Sequence, residues 1–437
     1  MKRVLVLLAA IVAVPAALPA PAAALGPDSA ARTPVARSAA ATATSSISRT
    51  ALCGRLRARL PRAGGASGLF VIDVGTGRRV CGSKGKARRI PASNMKLFTT
   101  AAALARFGPD QRLQTTIYRS GEIDAAGVLH GSLYLVGGGD PALSSPDFAR
   151  RFLDNIGTDL FDLADSVQAA GVERVTGRLY ADDTIFDRLR GVADSDFSTS
   201  PWIGPLSGLD FNSGYADSSA RSFASDPAIV AGDSLVDSLR AGGVQITSNV
   251  SLRALPSQNT VKIGTVGSPR MDVLTNETDV YSNNFYAEML LKVLGAHFGG
   301  AGSTTAGATV VKRFARGLGT GVRAIDGSGL SRGNRVTAAQ VARLLAAMQG
   351  TEEAEEFAAS LPVAGREGTV AYRMRGTAAA GRCRTKTGTL TGVSALSGYC
   401  FNASGRVMAF SILNNGVTDL SEAHEQQDRM TALIARY

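Results

Sequence analysis

The segment Pro91-Ala-Ser-Asn-Met-Lys-Leu-Phe-Thr-Thr-Ala-Ala-Ala-Leu104 joins a serine and a lysine to an apolar run. Proline suits the first turn of a helix, and the run that follows is helical and apolar, so a buried helix is predicted. Ser93 and Lys96 lie three residues apart and therefore share one helix face. Because burial disfavours the ammonium, Lys96 is predicted to have a lowered pKa and to be a plausible base for a Ser93 nucleophile.

A second copy of the S-x-x-K pattern, Ser83 to Lys86, tests how specific the first one is. It lies in a turn rich in glycine and lysine, with no apolar run after it. The context therefore favours Ser93 over Ser83.

A second motif, Ser282-Asn283-Asn284, comes directly before a run of apolar residues at helical spacing. Ser282 and Asn284 are therefore predicted at the start of a helix. Taken alone, Ser282 would more simply be the N-cap of that helix.

A third motif, Lys386-Thr387-Gly388, stands in a threonine-rich extended run. The run turns at positions 391–392 and returns as a second strand, which predicts a β-hairpin with Lys386 at a strand edge. On its own this motif would describe a solvated lysine on an exposed strand.

In this order the three motifs resemble the S-x-x-K, S-D-N and K-T-G set of penicillin-binding proteins and serine β-lactamases, with Asn283 at the middle position of the second motif. Stretches 326–332, 361–365 and 386–393 also resemble the D-Ala-D-Ala carboxypeptidase and endopeptidase family, the low-molecular-mass class C penicillin-binding proteins. The resemblance runs from about residue 50 to the C-terminus. It implies an α+β fold of the serine β-lactamase/transpeptidase type, with a central antiparallel sheet flanked by helices.

The resemblance further implies a reaction and its residues. Peptidoglycan stem peptides would be the substrates, β-lactams the inhibitors, and an acyl-enzyme the intermediate. The implied catalytic residues are Ser93, Lys96, Ser282 and Lys386. The implied substrate-binding residues are Asn284, Thr387, Gly388 and Thr389.

Three other functions stay open at this stage. A serine β-lactamase shares the nucleophile and differs in how fast the acyl-enzyme is cleared. A Ser-His-acid hydrolase would use the G-x-S-x-G match at 329–333 with His424 and Asp419. A wall-binding or penicillin-sensing module would keep the pocket without turnover.

The motifs also predict how the chain is divided. Lys2 and Arg3 precede an apolar run and a small-residue A-x-A site at 22–24, which is typical of a secretory signal peptide. A stretch rich in Ala, Ser, Thr and Pro comes next, followed by a catalytic domain that an accessory domain interrupts. The predicted parts are a signal peptide at 1–24, a flexible linker at 25–48, a discontinuous catalytic domain at 49–104 and 270–437, and an inserted β-rich accessory domain at 105–269.

Charge and the predicted signal peptide indicate an extracytoplasmic location. The formal net charge is +11, and Arg49 to Arg89 contains eleven basic residues but only one acid, Asp73. Outside the cell such a segment favours an anionic wall polymer or a membrane surface rather than nucleic acid. A merely solvated basic face is an equally good explanation.

The chain has four cysteines, which allow three pairings. The predicted hairpin places Cys383 opposite Cys400, within bonding range. Cys53 and Cys81 would then form a second disulfide. With neither a C-x-x-C spacing nor clustered histidines, no metal site and no cofactor are predicted.

Overall fold

A computed structural model describes residues 47–247 and 249–437. The predicted signal peptide and nearly all of the predicted linker lie outside the described residues. The helices α1 to α11 are Arg49–Arg59, Lys96–Phe107, Pro146–Phe152, Asp162–Ala169, Pro227–Ala241, Met271–Val280, Asn284–Phe298, Thr304–Gly317, Ala338–Met348, Ala354–Ala359 and Leu420–Arg436. The strands β1 to β16 are Ala66–Asp73, Arg79–Ser83, Arg88–Arg89, Gln114–Ser120, Val128–Leu129, Leu133–Val136, Leu143–Ser144, Thr158–Asp159, Arg174–Val175, Leu179–Asp182, Ser251–Leu252, Thr260–Gly267, Val336–Thr337, Cys383–Leu390, Val393–Phe401 and Val407–Asn415.

A five-stranded antiparallel sheet in the order β14-β15-β16-β1-β2 forms the centre of the catalytic part. Side chains along β1 alternate between two cores. Phe70 and Ile72 pack with the helices α2, α7 and α9, whereas Leu69 and Val71 pack with α1 and α11. Because both faces are covered, the central strands are buried almost throughout, and the predicted fold class is confirmed.

The predicted hairpin is present, with Leu390 paired to Val393 and Gly392 in the left-handed region at φ +73°. Glycine adopts that conformation without steric cost, as the tight turn requires. The register places Cys383 opposite Cys400, and the two are joined by a disulfide, as the sequence predicts.

The prediction of a second disulfide is wrong, because Cys53 and Cys81 are free, buried thiols. Helix α1 packs on β2 and does bring the two cysteines together. However, the Cys53 Sγ donates to the Val80 carbonyl at 3.3 Å instead of bonding to Cys81. Burial, followed by the hydrogen bond with Cys53, raises the pKa of Cys81 to about 12, so this thiol stays protonated.

Helices α2 and α7 belong to the core that contains Phe70 and Ile72. The segment that contains Ser93 starts as a short 3-10 turn at Ala92–Met95 and continues as α2, whose first nine residues are buried. Helix α7 follows the second motif and packs beside α2. Both helices predicted from apolar spacing are therefore confirmed.

A second five-stranded sheet, in the order β11-β10-β6-β4-β12, belongs to the predicted insertion. Its first long strand, β4, pairs with its last, β12, from Gln114 opposite Gly267 to Ser120 opposite Thr260. The chain therefore leaves the catalytic part and returns to it at neighbouring points. Helices α3, α4 and α5 accompany the strands of this region.

Candidate active site

The nucleophile turn and α2 place Ser93 beside a buried lysine. The Lys96 Nζ lies 3.2 Å from the Ser93 Oγ. It also donates to the Asn284 Oδ1 and to the Ser328 carbonyl, each at 2.7 Å. Ser93 itself is partly exposed, so its hydroxyl is accessible to a substrate, whereas the Lys96 ammonium behind it is buried.

The surroundings of Lys96 favour loss of its proton. Its side chain is fully buried, and its three acceptors are uncharged oxygens. Burial, and secondly the charge of Lys386, lower the pKa of Lys96 to about 7. The more distant carboxylates of Glu288, Asp326 and Asp279 act in the opposite direction.

Lys386 reaches the same site from β14. The Asn94 Nδ2 donates to the Lys386 carbonyl at 3.0 Å, which ties β14 to the nucleophile turn. Burial lowers the pKa of Lys386 to about 8, and Asp279 partly opposes the shift. The predicted strand is correct, but Lys386 is fully buried, so the description as a solvated lysine is wrong.

The glycine of the third motif is required by a close approach of two backbones. A Cβ atom at Gly388 would lie 2.9 Å from both the Ser93 nitrogen and the Pro91 oxygen. Side chains on either side line the edge of the strand. The Thr387 hydroxyl donates to the Thr369 hydroxyl at 2.9 Å, and Thr389 is exposed.

Ser282 is not the N-cap of α7, contrary to the simpler explanation from the sequence. Asn283 caps the helix by accepting from the Tyr286 N–H, and Asn284 is its first residue. Ser282 precedes the cap with φ +59°. A left-handed non-glycine residue costs on the order of 1–3 kcal/mol, and such residues cluster at functional sites.

Sequence reasoning missed a polar line along α7. Asn284, Glu288 and Lys292 are spaced four residues apart and therefore lie on one helix face. The Glu288 and Lys292 side chains are fully buried. Charged residues at this spacing inside an otherwise apolar helix were a readable signal, because buried charges need partners.

Glu288 holds the loop that supplies one acceptor of Lys96. Its carboxylate accepts from the Gly327 N–H at 3.0 Å and from the Ser328 N–H at 2.7 Å. Burial, followed by the charge of Asp326, raises the pKa of Glu288 to about 7. The same carboxylate therefore fixes the direction of the Ser328 carbonyl toward Lys96.

Asp326 stabilises the same loop from inside. It accepts from the Gly329 N–H at 2.9 Å, the Ser331 N–H at 2.5 Å and the Asn334 Nδ2 at 2.6 Å. These contacts make Asp326 a stabiliser of the turn at residues 326–334.

The insertion contributes directly to the site, which the sequence did not reveal. The Trp202 carbonyl accepts from the Asn284 Nδ2 at 3.1 Å. Asp194 accepts from the Ser331 hydroxyl and from the Arg332 N–H, each at 2.7 Å. A cleft of about 370 Å³ beside Asn284 is lined mainly by insertion residues, among them Phe148, Phe152, Pro201, Trp202, Tyr215 and Phe223.

The alternative Ser-His-acid site is not assembled. The Ser331 hydroxyl donates to Asp194, while His424 lies on α11, whose buried residues pack on the other face of the central sheet. Within residues 47–247 and 249–437, no group of three His, Cys, Asp or Glu side chains could hold a metal ion.

A partly exposed serine, two buried lysines and an asparagine at one sheet edge are the arrangement expected of a serine acyl-transfer enzyme of the penicillin-binding type. The family model for the D-Ala-D-Ala carboxypeptidase 3 (S13) family matches residues 55–224 and 212–437. The chain therefore belongs to this family.

Individual relatives agree with the family assignment. The chain is 34% identical to a D-alanyl-D-alanine carboxypeptidase of an Actinomadura species, over 86% of this chain and 82% of that protein. It is 31% identical to a carboxypeptidase of Mycolicibacterium smegmatis, over 79% of this chain and 75% of that protein. The predicted enzyme class, a serine-type D-Ala-D-Ala carboxypeptidase, is confirmed.

A solved structure supports the fold. The crystal structure of penicillin-binding protein 4 from Haemophilus influenzae superposes with a TM-score of 0.72 at 20% identity, covering 88% of this chain and 99% of that chain. The architecture of sheet, helices and insertion is therefore shared over nearly the whole of both molecules.

Proposed function

We propose that Ser93 attacks the carbonyl carbon of the penultimate D-Ala of a peptidoglycan stem peptide. The Ser93 Oγ forms an ester bond with that carbon, and the peptide bond to the terminal residue breaks. Carboxypeptidase action releases the terminal D-Ala, and endopeptidase action at the corresponding bond of a cross-link releases the amine of the neighbouring stem peptide. The observation that carries the proposal is the 3.2 Å contact between the Ser93 Oγ and a fully buried Lys96 ammonium.

Lys96 takes the Ser93 proton in this scheme. A lysine with a pKa of about 7 is substantially neutral at physiological pH and can accept a proton. Its contact with the Asn284 Oδ1 keeps the Nζ aimed at the hydroxyl. Asn284 in turn presents its amide to the substrate backbone.

Ser282 and Lys386 deliver a proton to the departing amine. Ser282 does not cap the helix, so its hydroxyl is not committed to the backbone there. The Lys386 charge, with the Thr387 and Thr389 hydroxyls, holds the terminal carboxylate of the substrate. Gly388 lets this strand edge lie against the nucleophile turn.

Backbone N–H groups of Ser93 and Thr389 stabilise the oxyanion. The close approach of Gly388 to the Ser93 nitrogen supports this pair, because it brings the two chain segments together. One such donor typically contributes roughly 100- to 1000-fold in rate. Water then hydrolyses the ester, whereas a β-lactam leaves an acyl group that is cleared slowly.

The test is the intact mass of the protein over time after exposure to benzylpenicillin. Wild type and Ser83→Ala, the matched S-x-x-K control, are expected to gain one penicillin mass that persists. Ser93→Ala is expected to gain none. Destruction of the drug without an adduct would favour a β-lactamase, and neither adduct nor turnover would favour a binding module.

The site would operate outside the cytoplasm, beside an anionic wall polymer. Exposed arginines and lysines of residues 49–88 cover α1 and β2, and the one acid there, Asp73, is paired with Arg406 at 2.6 Å. Strand β2 is the sheet edge opposite β14. Four strand spacings of roughly 4.8 Å separate the basic face from the acylation site, so a bound polymer leaves the site open.

A polymer fits this basic face better than a bilayer does. Membrane-surface segments present large apolar side chains, and none is strongly exposed among residues 47–89, all of which the structure describes. No helix in the described ranges is long and apolar enough to cross a membrane.

Sedimentation with long-chain polyphosphate, and separately with phosphatidylglycerol vesicles, tests this contact. Polyphosphate binding that weakens with salt and with Arg55→Glu plus Arg79→Glu is expected. Arg150→Glu plus Arg174→Glu, on the insertion, is the charge-matched control. Stronger binding to the vesicles would indicate a membrane surface as the partner instead of a polymer. Binding to neither would indicate that the basic face is only solvated.

A further inference from the structure

Lys292, on α7, is a third fully buried lysine besides Lys96 and Lys386, and its contacts reach into the insertion. Its Nζ lies 2.6 Å from the Asp187 Oδ1 and donates to the Leu189 carbonyl at 2.7 Å. The ammonium also stands 5.5 Å from the centre of the Phe186 ring. Helix α7 therefore contacts the insertion at residues 186–189.

The same stretch of insertion continues to the active site. Arg190 donates to the Leu206 carbonyl at 3.0 Å, and the Leu206 N–H donates to the Arg190 carbonyl at 2.9 Å, which closes a loop between them. Within the loop, a turn in which the Gly204 N–H donates to the Ser200 carbonyl carries Trp202. This turn places the Trp202 carbonyl on Asn284.

Two residues of α7 thus donate hydrogen bonds to two carbonyl groups of the same loop. Asn284 holds the Trp202 carbonyl, and Lys292, eight residues later, holds the Leu189 carbonyl. Eight residues correspond to about 12 Å along a helix. Because α7 is rigid, the anchor at Leu189 limits where the Trp202 carbonyl can lie.

We propose that Lys292 is a positioning residue for acylation, because it fixes the loop from Asp187 to Trp202 against Asn284, which in turn orients Lys96. The inference rests on the proposed function of Ser93, Lys96 and Asn284. Without the ammonium, the loop loses its anchor, and the Asn284 side chain loses a fixed partner on one side. Misplacement of a catalytic group by about 1 Å can cost on the order of 100-fold in rate.

The chain offers a direct probe, because Trp202 is its single tryptophan. Time-resolved fluorescence anisotropy of the indole reports the motion of this loop without interference from other tryptophans. Lys292→Met is compared with Lys312→Met, a partly buried lysine on the adjoining helix α8. Turnover is measured on a synthetic peptide that ends in D-Ala-D-Ala, and the fold is checked by circular dichroism.

We expect faster local depolarisation of Trp202 in Lys292→Met and a fall in kcat of about 10- to 100-fold, with a smaller change in KM. Lys312→Met should match wild type in both measurements. Unchanged anisotropy, or unchanged kcat, in a folded Lys292→Met overturns the proposal. If Lys292→Met does not fold, Asp187→Asn takes its place under the same criteria, with a smaller expected effect because the Leu189 carbonyl keeps its donor.

Failure of the underlying function would look different. If wild type neither forms a penicillin adduct nor destroys the drug, or if Ser93→Ala still forms an adduct, the proposed roles of Ser93, Lys96 and Asn284 are wrong. The Trp202 anisotropy would still show whether Lys292 holds the loop.

Discussion

The molecule buries lysine side chains in two regions, and the two regions use them differently. At the proposed acylation site, Lys96 contacts only uncharged oxygens of Ser93, Asn284 and Ser328. At the junction with the insertion, Lys292 contacts the carboxylate of Asp187. Both side chains are removed from water, so the difference lies in the partner and not in burial.

A buried ammonium with neutral acceptors is poised to lose its proton, whereas one with a carboxylate partner is held in the charged form. Burial lowers the pKa of Lys96 to about 7. Burial also lowers the pKa of Lys292, but Asp187 opposes that shift by hydrogen bonding and by charge. The first region can therefore supply a base, and the second a structural anchor.

The largest expected effect concerns the base. Lys96→Met should lower the rate of penicillin acylation by about 100- to 10,000-fold, because Ser93 loses its proton acceptor. The time course of the mass adduct measures this rate. If Lys292→Met lowered the acylation rate as much as Lys96→Met does, the distinction between the two regions would be wrong.

Stability should change in opposite directions at the two lysines. Below pH 7 the folded wild type holds a charged Lys96 ammonium that burial has removed from water, which lowers its stability. Each unit by which the folded-state pKa is lowered corresponds to about 1.4 kcal/mol of unfolding free energy. The substitution also leaves the oxygen acceptors of Lys96 unpaired, and this cost offsets part of the gain. Lys96→Met should therefore be more stable than wild type at pH 6 by about 1–3 kcal/mol. Lys292→Met leaves the partly exposed Asp187 without its cation and should be less stable by about 1–3 kcal/mol.

Urea unfolding of wild type and both variants at pH 6 and pH 9 checks these signs. Between about pH 7 and the ordinary lysine pKa of 10.5, the unfolded chain keeps a proton that folded Lys96 has released. The stability of wild type therefore rises with pH there, and the advantage of Lys96→Met shrinks. The same sign for both variants at pH 6 would contradict the comparison.

The pH dependence of kcat/KM should be bell-shaped. Activity rises as Lys96 loses its proton near pH 7 and falls as Lys386 loses its charge near pH 8. Each limb should approach a tenfold change per pH unit. A profile that stays flat from pH 6 to pH 9 would show that neither lysine titrates during catalysis.

A smaller effect is expected at Glu288, which raises the pKa of Lys96 by its charge. Glu288→Gln should move the acid limb of the profile to lower pH and lower the maximal rate by roughly tenfold, because a carboxylate that accepts two backbone N–H groups is lost. Glu425→Gln, on the exposed side of α11, is the control. An acid limb that moves to higher pH would assign the electrostatic effect to another group.

The sequence predicted the local parts of the site well. The helix after Ser93, the helix after Asn284, the hairpin at 391–392 and the pairing of Cys383 with Cys400 all follow from spacing and turn chemistry. Such features depend on neighbours along the chain, so periodicity reveals them. The predicted bond between Cys53 and Cys81 failed, because helix packing brings thiols close without joining them.

Sequence by itself determined the three motifs, their order and the family they indicate, because the resemblance depends on residue type and short spacing at Ser93, Lys96 and Lys386. Only the tertiary structure decided which lysine contacts neutral oxygens and which contacts a carboxylate. It alone placed Glu288, Asp187 and Trp202 at their partners. These contacts join residues about 40 to 105 positions apart, and a contact at such separation leaves no period in the sequence.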